Sequence, residues 1–354
     1  MSLHPVYGHE SLRQRLGAAI ARGRLPQAIL FSGPPGVGKQ RLALWGAAAL
    51  FCEAPEPGGE PCGTCGPCRQ VAGLNHPDLH WFVPIVLKRK SSDPDKLIEE
   101  AERALADTMV ERREDSRWSA PENAASHSLA SVRLLQRRVS RRPFQGARKV
   151  IIIGDADRLI VQEASQEAAN ALLKVLEEPP EDTTLMLTSG VPERLLPTIR
   201  SRVVPVRVGP VPEAAVRRFL EEVAGASARD ASRQAAEAQG RIGELVGASS
   251  TSAKARDAAE RLLAAIRGGA AGEWAGEALR QPPWGARGGY TDLLEALSRH
   301  MRNQLAKRAS AGPEKLSKPL QALKIIDSHR TAASGNVNPQ LSLAVLAREL
   351  QELT

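Results

Sequence analysis

Two periodicities alternate along residues 1–208. Apolar residues fall at helical spacing over 11–22, run unbroken over 28–31, and return to helical spacing over 41–51, predicting a helix, a buried strand and a second helix. Residues 149–153, Lys-Val-Ile-Ile-Ile, are nearly pure β-branched and read as a buried parallel strand. A helix over 164–176 follows, closed by Glu177-Glu178-Pro179-Pro180. Residues 184–188 and 203–208 supply two further strands, and strands separated by helices predict a parallel sheet covered on both faces. Between 88 and 125 the chain turns highly charged, with a polar helix over 95–113 and no strand signal, and this reads as an exposed insertion.

After Gly209-Pro210-Val211-Pro212 the β-branched runs stop, and Ala, Leu, Arg and Glu continue at helical spacing. A Ser-rich stretch at 248–253 reads as a linker, beyond which Leu293, Leu294, Leu297, Met301 and Leu305 share one helical face. The expected organisation is an α/β domain over 1–208, a small helical domain over 209–250 and an all-helical domain over 251–354. At ~150 residues per domain, a chain of 354 residues has room for all three.

Composition narrows the classes. No apolar run approaches the ~18 residues of a membrane helix, and residues 1–16 lack the pattern of a secretory signal, so the expected location is cytoplasmic. The net charge of +8 is compatible with transient nucleic-acid contact, whereas 3% aromatics disfavour base stacking as the main recognition device. Arg133, Arg137, Arg138, Arg141, Arg142, Arg148 and Lys149 form the densest basic run. It reads first as a solvated helix face and second as a sequence-independent contact to a nucleic-acid backbone.

The strand at 28–31 leads into Gly33-Pro34-Pro35-Gly36-Val37-Gly38-Lys39-Gln40, a G-x4-GK loop between a strand and a helix. Such loops turn backbone N–H groups onto phosphates, with Lys39 as a point charge. The next position is ordinarily Ser or Thr, whose hydroxyl binds Mg²⁺; here it is Gln40. The metal-binding carboxylate expected after the next strand falls on Gly154, although a shifted register would use Asp155 or Asp157. Little or no hydrolysis is expected, with nucleotide binding through Gly33, Gly36, Gly38 and Lys39 weak or absent.

Cys52, Cys62, Cys65 and Cys68 are the only cysteines, spaced C-x9-C-x2-C-x2-C with glycines and a proline between them. Four soft ligands at this spacing point to one structural Zn²⁺ with a closed shell. A redox CxxC would leave two cysteines unused. His76 and His80 nearby read as ordinary loop histidines.

The segments 25–34, 169–180 (Ala-Asn-Ala-Leu-Leu-Lys-Val-Leu-Glu-Glu-Pro-Pro) and Thr198-Ile199-Arg200-Ser201-Arg202-Val203 resemble the bacterial clamp-loader AAA+ family, and 336–341 resembles its last collar helix. The degenerate phosphate loop is similar to the delta-prime branch of that family rather than to the hydrolysing gamma/tau branch. The resemblance implies an AAA+ module, a lid and a helical collar acting within DNA polymerase III. It implies gamma/tau and delta subunits as partners, with the sliding clamp and primer-template DNA reached through the assembled loader. The family's Ser-Arg-Cys tripeptide becomes Ser201-Arg202-Val203, so the resemblance implies that Arg202 reaches a neighbouring subunit's ATP site. A second family arginine would fall near Gly243 and is absent.

Overall fold

The computed structural model describes residues 3–87, 93–115, 118, 125–159, 166–246, 250–268, 271–280, 287–308, 314–333 and 337–353. The chain forms two compact units that divide at residue 247.

In the first unit the order is α1 (Glu10–Ala21), β1 (Ala28–Ser32), α2 (Lys39–Phe51), α3 (Gly66–Ala72), β2 (Leu79–Phe82), α4 (Pro94–Glu114), α5 (Leu129–Val139), β3 (Lys149–Ile153), α6 (Glu167–Glu177), β4 (Thr183–Ser189), α7 (Pro197–Arg200) and β5 (Val204–Arg207). Three further helices follow, α8 (Glu213–Glu222), α9 (Ala228–Ala238) and α10 (Ile242–Val246). The five strands make one parallel sheet in the order β2-β3-β4-β1-β5. Register places Ile29 opposite Met186 and Ile151 opposite Leu185. Every residue of β3 and β4 is buried, as strands covered on both faces require. β5 is mostly exposed and carries Pro205, which lacks a ladder donor and is tolerated at an edge.

β2 has no counterpart in the sequence pattern. It has four residues, and its Leu-His-Trp-Phe sequence follows an Asn-His-Pro-Asp turn signal. His80 therefore stands on a strand and not in a loop. Lys149 also departs from the solvated face expected of it. It is buried at the start of β3, its Nζ donating to the carbonyls of Val139 and Arg141 and pairing with Asp182 at 3.6 Å. The predicted polar helix within the insertion is α4, but one side of it is buried: Ile98, Ala101 and Leu105 join the core under the sheet.

Helices α8 to α10 gather around a small core of their own, with Val216, Phe219 and Ala231 at its centre. The second unit holds α11 (Ser250–Gly268), α12 (Ala271–Leu279), α13 (Arg287–Lys307), α14 (Glu314–Ala332) and α15 (Pro339–Gln351). Ser250 to Ala253 begin α11 and are not a linker; residues 248 and 249 lie outside the described residues. Leu293, Leu294, Leu297 and Met301 are buried as their shared face requires, and Leu305 is half-buried. Asn338 caps α15 by accepting from the backbone N–H groups of Gln340 and Leu341, while Asn336 lies outside the described residues.

The cysteine-bearing loop is fastened to the first two helices. Glu60 accepts from Arg13 of α1 at 2.9 Å and from Trp45 Nε1 of α2 at 2.7 Å. Gly17 of α1 meets this loop backbone to backbone, since a Cβ there would stand 2.3 Å from the Gly58 carbonyl oxygen. In an open helix Gly→Ala stabilises by ~1 kcal/mol, but here overpacking reverses the sign. Gly17→Ala is expected to destabilise the first unit by ~1–3 kcal/mol in chemical denaturation. A stabilised variant would show that this contact yields.

Candidate functional site

The glycine loop leaves β1 at the crowded centre of the sheet. A Cβ on Gly33 would fall 2.0 Å from the Val208 carbonyl oxygen, so only glycine passes. Gly36 and Gly38 have φ of +77° and +92°, and Gly38 opens α2. The loop is therefore built as the sequence predicts, but its polar groups face inward. Lys39 is buried, and its Nζ donates to the carbonyls of Gly33 at 2.9 Å and Pro34 at 2.8 Å. Burial lowers its pKa, with Asp155 and Asp157 opposing that shift. The Gly36 carbonyl accepts from the Gly243 N–H at 2.8 Å, and the Val37 carbonyl is bonded by His9 Nε2 at 2.8 Å. At Gly243 itself a Cβ would stand 2.8 Å from Gly36 Cα, so the backbone of α10 lies directly on the loop.

Beside Lys39 the amide of Gln40 fills the space at the end of β3. A Cβ on Gly154 would stand 2.8 Å from Gln40 Oε1 and 3.0 Å from its Nε2. Gln40 Nε2 donates to Asp155 Oδ2 at 2.9 Å, and Oε1 accepts from Arg112 Nη1 at 3.4 Å. Asp155 is turned inward with φ of +48°, and burial raises its pKa, as does the neighbouring Asp157; Lys39, Arg158 and Arg112 pull it back. Asp157 accepts from Ser189 Oγ at 2.7 Å and from the Gly190 N–H at 3.0 Å. His127, wholly buried, bonds the Gly154 carbonyl at 2.7 Å, and desolvation lowers its pKa to about 4, so it is neutral near pH 7. The Mg²⁺ that phosphate-loop enzymes use needs a hydroxyl from the loop and a nearby free carboxylate. Here an amide stands in place of the hydroxyl and also bonds the nearest carboxylate, so these residues do not fit that ion.

Arg202 lies on the turn between α7 and the edge strand β5. Its Nη1 donates to the Thr198 carbonyl at 3.0 Å, and its Nη2 pairs with Glu177 Oε1 at 2.8 Å. The residue is exposed, anchored on one side by this ion pair, while the neighbouring Val203 is buried. Two residues of the basic run pair with α4, Arg137 with Asp95 and Arg138 with Glu102, while Arg133, Arg141 and Arg142 are exposed.

The four cysteines converge. Their Sγ atoms all lie within 4.8 Å of one another, close to the roughly 3.8 Å separation that four Zn–S bonds impose. N–H groups already point at two sulfurs, Cys62 N to Cys52 Sγ at 3.3 Å and Cys65 N to Cys62 Sγ at 3.4 Å. The N–H of Cys65, with the N–H and hydroxyl of Thr64, pushes the Cys62 thiol down to about 6, whereas burial pushes Cys52 and Cys68 up. The donor set fits a soft metal ion. His76 is committed elsewhere, stacked on Phe51 at 4.0 Å between ring centroids and accepting from the Asp78 N–H.

Residues 8–212, more than half of the chain, match the family described as DNA polymerase III, delta subunit. The chain belongs to this family. It is 32% identical over 205 residues to DNA polymerase III subunit delta-prime of Bacillus subtilis, and 35% over 206 residues to that of Pseudomonas aeruginosa. Each match covers 58% of this chain and 49% of the relative. DNA polymerase III subunit gamma/tau of Mycobacterium bovis matches at 31% over 202 residues, 57% of this chain and 27% of that protein. The chain thus spans about half the length of the delta-prime relatives it matches. Among the described residues no helix is long and apolar enough to cross a membrane.

With the clamp-loader family established, the β2-β3-β4-β1-β5 sheet and its helices constitute an AAA+ fold. Sequence reasoning singled out Gln40 and Gly154 separately; their contact is visible only in three dimensions. Arg112 and His127 were missed. The signal for Arg112 is periodic, because it falls on the stripe of Ile98, Ala101 and Leu105 that faces the core.

The amide makes way for a side chain at 154 by releasing the half-buried Asp155 carboxylate. Gly154→Ala should therefore destabilise by ~1–3 kcal/mol, the scale of a hydrogen bond to a charged group, and the increment should nearly vanish in a Gln40→Ala background. Equal increments in both backgrounds, measured by denaturation, would mean the two positions do not interlock.

Proposed function

We propose that this chain is a non-hydrolysing, delta-prime-type subunit of a DNA polymerase III clamp loader. It braces the assembly and completes a neighbour's ATP site with Arg202. The observation that carries the reading is the Gln40 amide occupying the space beside Gly154, where a hydrolysing subunit needs a carboxylate. Lys39 bonded to its own loop and Gly243 lying on Gly36 support the same view, leaving nucleotide binding weak or absent. Gamma/tau and delta subunits are the proposed partners, with the sliding clamp and primer-template DNA met through the complex, in the cytoplasm. Within this reading residues 1–208 form the AAA+ domain, 209–250 the lid and 251–354 the collar.

Arg202 suits a finger by its chemistry. A guanidinium fixed along one edge by Thr198 and Glu177 keeps its plane while its other N–H groups can meet a phosphate held by another subunit. An active gamma/tau-type ATPase is disfavoured by Gln40 and Gly154. A zinc-containing nucleic-acid module is disfavoured because Asp95, Glu102 and Asp182 already pair with Arg137, Arg138 and Lys149 of the basic run.

In reconstituted loaders, Arg202→Ala should leave assembly by native mass unchanged and lower turnover at the served site by roughly 10³ to 10⁵. Arg202→Lys should be nearly as poor, and the isolated chain should show no magnesium-dependent ATPase. Equal ATPase and clamp loading for all three loaders would sink the finger. ATPase activity of the isolated chain would sink the non-hydrolysing role.

Zinc belongs to the proposal as well, one ion held by Cys52, Cys62, Cys65 and Cys68. With a closed thiolate shell it would supply folding energy to the loop that Glu60 fastens to α1 and α2, and no catalysis. Elemental analysis should find one zinc per chain, and Cys65→Ser should lose it with destabilisation of the first unit. Protein purified without chelator and free of zinc would refute the site.

A further inference from the structure

The charged insertion has no part in the reading above, yet its helix ends inside the vestigial nucleotide site. Arg112, two residues from the C-terminus of α4, is 6% exposed. Its guanidinium carbon lies 4.1 Å from the Trp81 ring centroid on β2 and 5.0 Å from that of Trp118, and the two indoles meet edge to face. Nη1 bonds Gln40, and Gln40 bonds Asp155. A guanidinium, an amide and a carboxylate thus form a chain across the end of β3, at the position where phosphate-loop enzymes set a divalent ion between loop and strand.

Packing alone does not call for this arrangement. Ile98, Ala101 and Leu105 show what the stripe accepts, and an apolar residue at 112 would continue it without burying a charge. Aromatic faces stabilise a desolvated guanidinium, but they leave Asp155 without a counter-charge on that side. Burial lowers the Arg112 pKa only to about 10, so the side chain remains a cation near neutral pH.

We propose that Arg112 is a resident cation of this site, beside Lys39 and Arg158. Delivered by α4 of the insertion and relayed through the Gln40 amide, it helps balance Asp155 in place of a metal ion. The insertion is then a charge-bearing strap that holds the phosphate-loop helix to β3. This holds independently of whether Arg202 acts as a finger.

The test is the opening equilibrium of the β3 segment, read by hydrogen exchange in the full chain, with variants Arg112→Met, Arg112→Lys, Asp155→Asn and the Met/Asn double. Arg112→Met keeps an unbranched apolar stem against Trp81 and removes the charge. It should increase opening of residues 150–155 by about 10- to 100-fold, the scale of a charged hydrogen bond. In the Asp155→Asn background the same change should have an effect below about threefold, and Arg112→Lys should retain most of the protection. If Arg112→Met does not fold, recovery of folding in the double variant supports the proposal, and failure of both overturns it. An Arg112→Met effect of equal size in both backgrounds overturns it too, because Arg112 would then only pack. Manganese at 1 mM should leave exchange of the unmodified chain unchanged; manganese protection that disappears in Asp155→Asn would show a metal in the place assigned to Arg112.

Discussion

A half-buried carboxylate at the end of β3, that of Asp155, is the constraint around which the first unit is organised. It is largely withdrawn from water, and an uncompensated charge in such a place is costly. The surrounding cations come from separate elements: Lys39 from the phosphate-loop helix, Arg158 from the turn after β3, and Arg112 from the insertion. Gln40 gives the direct hydrogen bond. Sheet, loop helix and α4 are thereby tied to one point.

How much of this could be read in the sequence depends on the range of the signal. The strand at 149–153 was legible residue for residue because a parallel strand buried on both faces leaves an unbroken β-branched run. β2 was illegible because four residues carrying a histidine leave no such run. Gly33, Gly36, Gly38 and Lys39 were readable because the loop imposes fixed spacing. The inward turn of Lys39 onto Gly33 and Pro34 was not, since spacing is silent about which acceptor an ammonium finds. Four cysteines in one short stretch announced a cluster, and the structure brings their sulfurs together. Arg112 was concealed by its chemistry. An arginine in a charged helix is ordinarily solvated, and only its place on the apolar stripe marks it out.

The same distinction separates the two arginines that matter. Arg112 is enclosed by two indoles and an amide, so its contribution lies in holding the chain together. Arg202 is exposed on an edge, with an acidic partner, Glu177, that exchange with another anion could replace. An interior charge of the first kind is insensitive to salt, whereas an edge pair of the second kind is open to screening and to competition.

The interlock of Gln40 with Gly154 also bears on descent. A lineage starting from this sequence and regaining a metal-binding carboxylate at 154 must first displace the amide, while a lineage first replacing Gln40 leaves Asp155 without its direct donor. Either order passes through a less stable intermediate, and neither step alone yields a catalyst on which selection could act. On the proposed non-hydrolysing reading this interlock would act as a ratchet, fastened by a contact between two residues 114 positions apart in the chain.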